Sequence, residues 1–566
     1  MKFNLAMIAA TAATALMPLA ASAERGSDGE VKIIYWQAPS ILNPYLSGGT
    51  KDIESSSLVI EPLGRYDPDG GLVPYLAQEI PTIENGGVSA DQTSITWKLK
   101  SGLKWSDGTP VTSADVVFTA EYCMHPEGGC AQLSKFNGVS SVDAVDDLTV
   151  KVTFTEPKPN PYGPFMGGQS PIIQAAQFAN CLGAKAPECT DANFGPIGTG
   201  PFVVTDFRPN DVIQLVANNN YRDPNKPAFA SVTFKGGGDA AASGRAVLET
   251  GEFDYAWNLQ LAPDVLAQMA SGGKGQAISA FGSLVERLEM NLTDPSPSLD
   301  ADTRATRKAP HPFLSDINVR KALSMAIDRE LLVEVGYGQA GRPTCDLVPG
   351  PKVYASGNTD CLTQDIAGAN AMLDAAGWAM GSDGVRAKDG VRLSILYQTS
   401  TNAVRQDFQA LIKQWWSEIG VETELRNLDA SVFFGGDPGS PDTFQKFYAD
   451  VEMYANNFDG TDPQAYLSAY RCGGEPKPES QWQGENINRF CDPAYDALID
   501  ELSRTSDLEK RYALAKKMND MLTNQSFTIV PLVDRGRVSA HSNSLGGVVL
   551  NTWDSELWNI ADWHRK

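Results

Sequence analysis

The chain has 566 residues, 42% of them hydrophobic and 20% charged, which is the composition of a folded globular protein rather than a disordered one. Its formal net charge of −23 repels phosphate backbones and anionic lipid, and this sets nucleic-acid binding aside. Beyond the N-terminal segment no stretch approaches the roughly eighteen uninterrupted apolar residues of a membrane span.

Residues 1–23, MKFNLAMIAATAATALMPLAASA, begin with Lys2, continue through an apolar run from Leu5 to Leu19 and end on Ala21-Ser22-Ala23. That is the pattern of a secretory signal peptide cut after Ala23. Pro18 interrupts the run, which is too short to span a bilayer. The first cysteine is Cys123, so the cysteine of a lipoprotein signal is missing and no lipid anchor is expected.

Residues 31–36 read as a strand that ends on Tyr35-Trp36. In SITWKLK, residues 94–100, Ile95, Trp97 and Leu99 alternate with polar residues, the pattern of a half-buried strand. LKWSDGTPVTSADVVF, residues 103–118, follows. Asp107-Gly108 marks a turn, and Thr112 with Asp115 forms a variant capping box ahead of a helix. The segment therefore reads as a structural corner, not an active-site loop.

Further on, EFDYAWN, residues 252–258, brings Trp257 and Asn258 to a strand end after a helix closing near Gly251. Residues 294–312 are rich in Pro, Ser, Thr and charge and form the best candidate for a linker between movable domains. Residues 318–335 carry helical spacing up to Gly336. A strand at 392–398, a helix at 402–419 and a strand at 421–425 make a β-α-β unit and imply parallel pairing. Ligands gather beyond the carboxyl ends of such strands, which points to Thr399-Ser400-Thr401 and to residues 427–429. Two helices, 493–504 and 508–522, lead into an apolar strand at 527–533.

The eight cysteines fall into four close couples, Cys123/Cys130, Cys181/Cys189, Cys345/Cys361 and Cys472/Cys491. In an exported chain disulfides between near neighbours are the favoured reading, although many connectivities are open. Zinc is the competitor. It is disfavoured because there is no Cys-x-x-Cys and only four scattered histidines, His125, His311, His541 and His564. Gly336-x-Gly338-x-x-Gly341 follows a helix instead of a strand, so it does not read as a dinucleotide site. Gly272-Gly273-Lys274 lacks the Ser or Thr of a phosphate loop. No cofactor is implied, and no catalytic motif stands out, though a carboxylate pair assembled in space stays open. Aromatic and polar residues at strand ends, Tyr35, Trp36, Trp257 and Asn258, suit a lined pocket as a group.

Several segments in one order resemble the periplasmic solute-binding proteins of ABC transporters, family 5, the dipeptide- and oligopeptide-binding proteins. They are EPLGRYDPDGGLVPYLAQ (61–78), the corner up to Phe118, GTGPFVV (198–204), LETGEFDYAW (248–257), NVRKALSMAIDRELL (318–332) and NNFDGTDPQAYL (456–467). The resemblance implies an α/β fold of two lobes with a ligand cleft between them, the type II periplasmic binding protein in its three-domain variant. Lobe I would hold residues 24–285 and 534–566, with an extra subdomain at about 65–197, and lobe II would hold 290–530. The crossings would lie near 286–293 and 529–535.

In the family's peptide binders an aspartate four residues before a proline receives the ligand's ammonium group. Asp459 stands four before Pro463, and Asn457 falls where the family offers backbone bonds. The family's carboxylate-fixing arginine has no counterpart in residues 397–403, and Arg405 nearby reads as packing or a surface ion pair. The resemblance thus implies a non-catalytic, monomeric periplasmic protein that delivers a short peptide or related solute to ABC permease subunits and their ATPases. An opine or glycoside in the same role is the alternative, and a secreted hydrolase, a periplasmic sensor or a chaperone stands further off.

Overall fold

The computed structural model describes residues 24–458 and 460–566; the expected signal peptide lies outside the described residues. Two large mixed sheets organise the chain. The first has seven strands in the order Gly275–Ala280, Arg537–Ser542, Tyr255–Trp257, Glu30–Tyr35, Ser231–Gly236, Val212–Ala217 and Phe202–Arg208. Its central strand Glu30–Tyr35 runs parallel to both neighbours. Along that strand Val31, Ile33 and Tyr35 alternate into a core shared with Phe202, Phe234 and Trp563, the period-two burial that fixes strand register.

The second sheet has six strands in the order Gly341–Pro343, Ile529–Arg535, Val285–Met290, Val451–Asn456, Ser394–Ser400 and Glu422–Leu428. The β-α-β unit is present: Ser394–Ser400 pairs in parallel with Glu422–Leu428, and the Ala403–Glu418 helix connects them. Asn402 caps that helix, its side chain accepting from Arg405 N at 3.0 Å. Val404, Phe408, Ile412 and Trp415 lie buried along one face, as a helix covering a sheet requires.

A third core sits beside the first sheet, around the three-stranded sheet Ser94–Lys98, Thr149–Phe154, Val139–Asp146. The Cys123–Cys130 and Cys181–Cys189 disulfides belong to it, and Cys345–Cys361 and Cys472–Cys491 close the remaining near-neighbour pairs. No helix among the described residues is long and apolar enough to cross a membrane.

Three expectations change. Residues 318–335 form two helices, Ile317–Met325 and Arg329–Gly336, because the Asp328 side chain accepts from Leu331 N at 3.0 Å and starts a second helix. Residues 294–312 are not a linker between lobes. Asp294 N donates to Ala309 O at 2.8 Å and Thr293 bridges Pro310, while Met290 and Phe313 on either side share one core. The segments expected as crossings are themselves interior strands of the second sheet, and the chain changes sheets at 281–284 and at Gly536.

The corner at 103–118 builds as read. Gly108 has φ +89°, where its lack of a Cβ matters, and Thr109 N donates to Asp107 Oδ1 at 2.9 Å. Asp115 Oδ2 accepts Thr112 N at 2.9 Å and the buried Trp105 indole at 3.2 Å, while Oδ1 accepts Ala175 N at 3.0 Å. Three donors converge on one carboxylate. Asp115→Ala strands them, which at about 1–3 kcal/mol per buried unsatisfied group is expected to lower stability by at least ~2 kcal/mol. Urea unfolding measures this loss, and ligand affinity in the folded variant is expected to stay within about twofold, since the corner is architecture.

Candidate functional site

Strand ends of both sheets converge on one space. Trp257 and Asn258 end the strand Tyr255–Trp257 in the first sheet, and Asn456, Asn457 and Phe458 end Val451–Asn456 in the second. Between them, with Leu284 and Arg535 at the crossings, lies a cleft whose empty space, open solvent at its mouth included, is about 1420 Å³. Gln132, Ser134 and Lys135 of the third core border its far side.

The lobes are in contact around this space. Gly460 N donates to Trp553 O at 2.6 Å, Asn402 Nδ2 donates to Gln260 Oε1 at 2.8 Å, and Arg504 pairs with Glu156 at 2.8 Å. Gly460 has φ +78°, and a Cβ there would come within 2.3 Å of the Tyr66 ring, so the close approach of the lobes requires glycine. This is a closed cleft.

One wall is aromatic. Phe434, Phe444 and Tyr454 meet with ring centroids 5.5–6.2 Å apart. Behind the neighbouring Tyr466 and Tyr470, buried Arg287 donates to both phenol oxygens, at 3.2 Å for Tyr470, while Glu289 accepts from Arg287 Nε at 2.5 Å. The phenols are thereby fixed in orientation before any ligand arrives.

The floor is charged. Glu286, in the second sheet, accepts from Arg405 Nε at 2.6 Å, Tyr337 OH at 2.9 Å and Gln260 Nε2 at 3.4 Å, and Arg535 Nε stands 3.6 Å away. Burial raises the Glu286 carboxyl, but the Arg405 and Arg535 guanidiniums outweigh it and hold the group below the ordinary glutamate range. Arg405 is therefore a buried partner at the cleft, not a surface ion pair. On the first-lobe side Arg537 faces Glu54 at 3.3 Å and Glu556 at 3.9 Å. Glu556 accepts from Tyr255 OH and Ser539 Oγ, both at 2.6 Å. Burial pushes the Glu54 carboxyl up to about 8, with Arg537 opposing and Glu556 reinforcing the rise.

Trp257, Asn258 and Asn457 border the cavity. Tyr35, Trp36 and Thr399 do not. Tyr35 stacks behind Trp257 at 4.6 Å and 7°. The Trp36 indole turns away to donate to Asn258 O at 2.8 Å. Thr399 Oγ1 is fully buried and donates across the sheet to Met453 O at 2.5 Å. All three sit one layer back, where strand alternation sends their side chains into the core or along the sheet. Asp459 lies outside the described residues. Reading the sequence missed Glu286, Arg535, Arg537, Glu54 and Glu556; for Glu286 and Arg535 the available signal was charge inside the strands VERLEM and IVPLVDR.

The Glu54 shift fixes a sign. A carboxyl raised when folded contributes stability that is full below its unfolded value, ordinarily about 4.3, and is lost as pH rises through about 8. Glu54→Gln removes this dependence, so its denaturation midpoint is expected to gain on the wild type between about pH 4.5 and 8. Parallel midpoint-against-pH curves for the two proteins would contradict the assignment.

The comparisons with known proteins agree with this geometry. The family profile "Bacterial extracellular solute-binding proteins, family 5 Middle" matches residues 71–477. The chain is 24% identical over 545 residues to the glutathione-binding protein GsiB of Escherichia coli (strain K12), covering 96% of this chain and 95% of that one. Its fold superposes on the oligopeptide-binding protein AppA of Bacillus subtilis, solved in complex with a nonapeptide, with a TM-score of 0.79 at 19% identity, over 96% of this chain and 100% of that one. For AgaA of A. tumefaciens R10, solved in complex with agropinic acid, the TM-score is 0.76 at 22% identity, over 95% and 99% of the two chains. Two lobes around a closed cleft, joined by two crossings, and a profile that spans most of the chain lead to one conclusion: the chain belongs to the bacterial extracellular solute-binding proteins, family 5.

Proposed function

We propose that this family member is the extracytoplasmic binding component of an ABC importer, which captures a short peptide or related small solute between its lobes and delivers it to the membrane permease. The observation that carries the reading is the cleft itself, closed by contacts between the lobes and bordered by strand ends, aromatic rings and buried charge. Delivery follows from population shift: ligand touches both lobes only when they close, so it favours the closed form, and the permease reads that form. Transport energy comes from the partner ATPases, and the binding protein acts as a periplasmic monomer without catalysis.

Asp459 is the residue proposed to receive the ligand's ammonium group, with Asn457 beside it and Trp257 and Asn258 on the facing lobe. A cation enclosed at low dielectric requires an opposite charge, and breaking such a pair typically costs ~3–5 kcal/mol. The second reading, an opine in the same role, is favoured by the fold shared with AgaA and its agropinic acid.

Titration calorimetry tests the peptide reading. Asp459→Asn is expected to weaken a free-amine oligopeptide by about two to three decades and to leave the melting temperature of the unliganded protein unchanged. Equal affinities of variant and wild type would refute the ammonium role.

A further inference from the structure

The lobes also meet where two disulfide-closed loops face each other. Cys123–Cys130 closes one in the third core, and Cys472–Cys491 closes the other in the second lobe. A Cβ on Gly129 of the first loop, where φ is +57°, would stand 3.1 Å from Ser480 O and from Gln483 Cγ of the second. Beside this contact Glu485 of the second loop accepts from the Ser134 hydroxyl and from the Ser134 N–H, and the Lys135 ammonium attracts it as well. Gln483 Nε2 donates to Gly436 O at 3.1 Å, and a Cβ on Gly436 would come within 2.5 Å of Leu46 O in the first lobe.

Each loop is made rigid on its own side. Ala131 N donates to Tyr45 O at 2.8 Å and Gln132 Nε2 to Ser47 O at 3.2 Å. In the other loop the buried Asn486 donates to Arg471 O at 3.0 Å and to Phe490 O at 2.7 Å, which bonds both ends together. Gln481 and Trp482 are held at φ +53° and +62°, with the Trp482 ring against Tyr448 at 5.8 Å. Left-handed backbone at two successive non-glycine residues persists only where its surroundings impose it.

We propose that these two loops form the catch of the closed cleft, with Glu485 and Ser134 as its positioning residues, and that the catch sets how slowly a captured solute leaves. Rotation about the crossings separates the loops, so the Ser134–Glu485 bonds belong to the closed form and add to its population. Because each loop is held in shape by its own disulfide, closing orders little new chain. Glu485 also opens onto the cavity, where enclosure raises its carboxyl against the opposing pull of Ser134 and Lys135. Contact with a cationic group of the solute is therefore the competing role for this residue, separate from the ammonium role proposed for Asp459.

The proposal rests on the cleft being the solute site, and the experiment separates the two claims. The full mature chain is given two synthetic pools of tri- to pentapeptides, one with neutral side chains and one with a lysine in each peptide, and dissociation is followed by stopped flow. Glu485→Ala is expected to speed dissociation about tenfold in both pools, as loss of a hydrogen-bonded carboxylate implies. Glu485→Gln keeps an acceptor for Ser134 and is expected to stay within about threefold of the wild type. Gly129→Ala, at a position that does not line the cavity, is expected to speed dissociation from both pools as well. An unchanged rate in Glu485→Ala overturns the catch, and so does a loss confined to the lysine pool, which would make Glu485 a ligand contact. If Glu485→Ala does not fold, Gly129→Ala decides, and an unchanged rate there is equally fatal. Binding of neither pool by the wild type overturns the peptide reading alone; the catch is then read from amide exchange over residues 131–136 in the ligand-free protein, which Glu485→Ala is expected to speed and which equal exchange would refute.

Discussion

The carboxylate of Glu286 is the constraint on which the site depends. It sits on the first strand after the chain leaves the first sheet, is fully buried, and gathers a helix residue (Arg405), a residue of the returning strand (Arg535), Tyr337 and a first-lobe residue (Gln260). Elements far apart in sequence are thus tied at the place where the lobes join. Removing one member of such a set strands the others at low dielectric, so the arrangement specifies a unique local geometry whatever its net energy. The cleft floor is positioned by this network, and the aromatic wall by its counterpart around Arg287 and Glu289.

Much of the architecture was legible because it rests on local rules. The helix at Ala403–Glu418 needed only apolar spacing and the Asn402 cap, and the corner at 103–118 needed a turn dipeptide and Asp115. What misled was composition without context. Residues 294–312 have the residues of a linker, yet their backbone closes on itself within one lobe. The long helix at 318–335 keeps its period through residues 326–328, but Asp328 competes for the backbone and starts a new helix.

The site was legible in part for a different reason. Trp257 and Asn258 could be placed at a strand end, and strand ends meet at the cleft, whereas Asn457 was indicated only by the family resemblance. Whether Tyr35 faces the ligand or the core depends on which surface of the sheet is covered, and that is decided by Phe234 and other residues distant in sequence. The charged floor is harder still. Glu286, Arg405, Arg535 and Glu54 come from four separate segments, and their balance exists only after folding.

Gly536 alone separates a strand of one sheet from a strand of the other, and Arg535 N is bonded to Leu284 O at 3.1 Å, so the two passages run side by side. Two adjacent strips of backbone fixed to stiff plates behave like the pin of a door. Such an attachment permits rotation of the plates about that line and resists sliding along it.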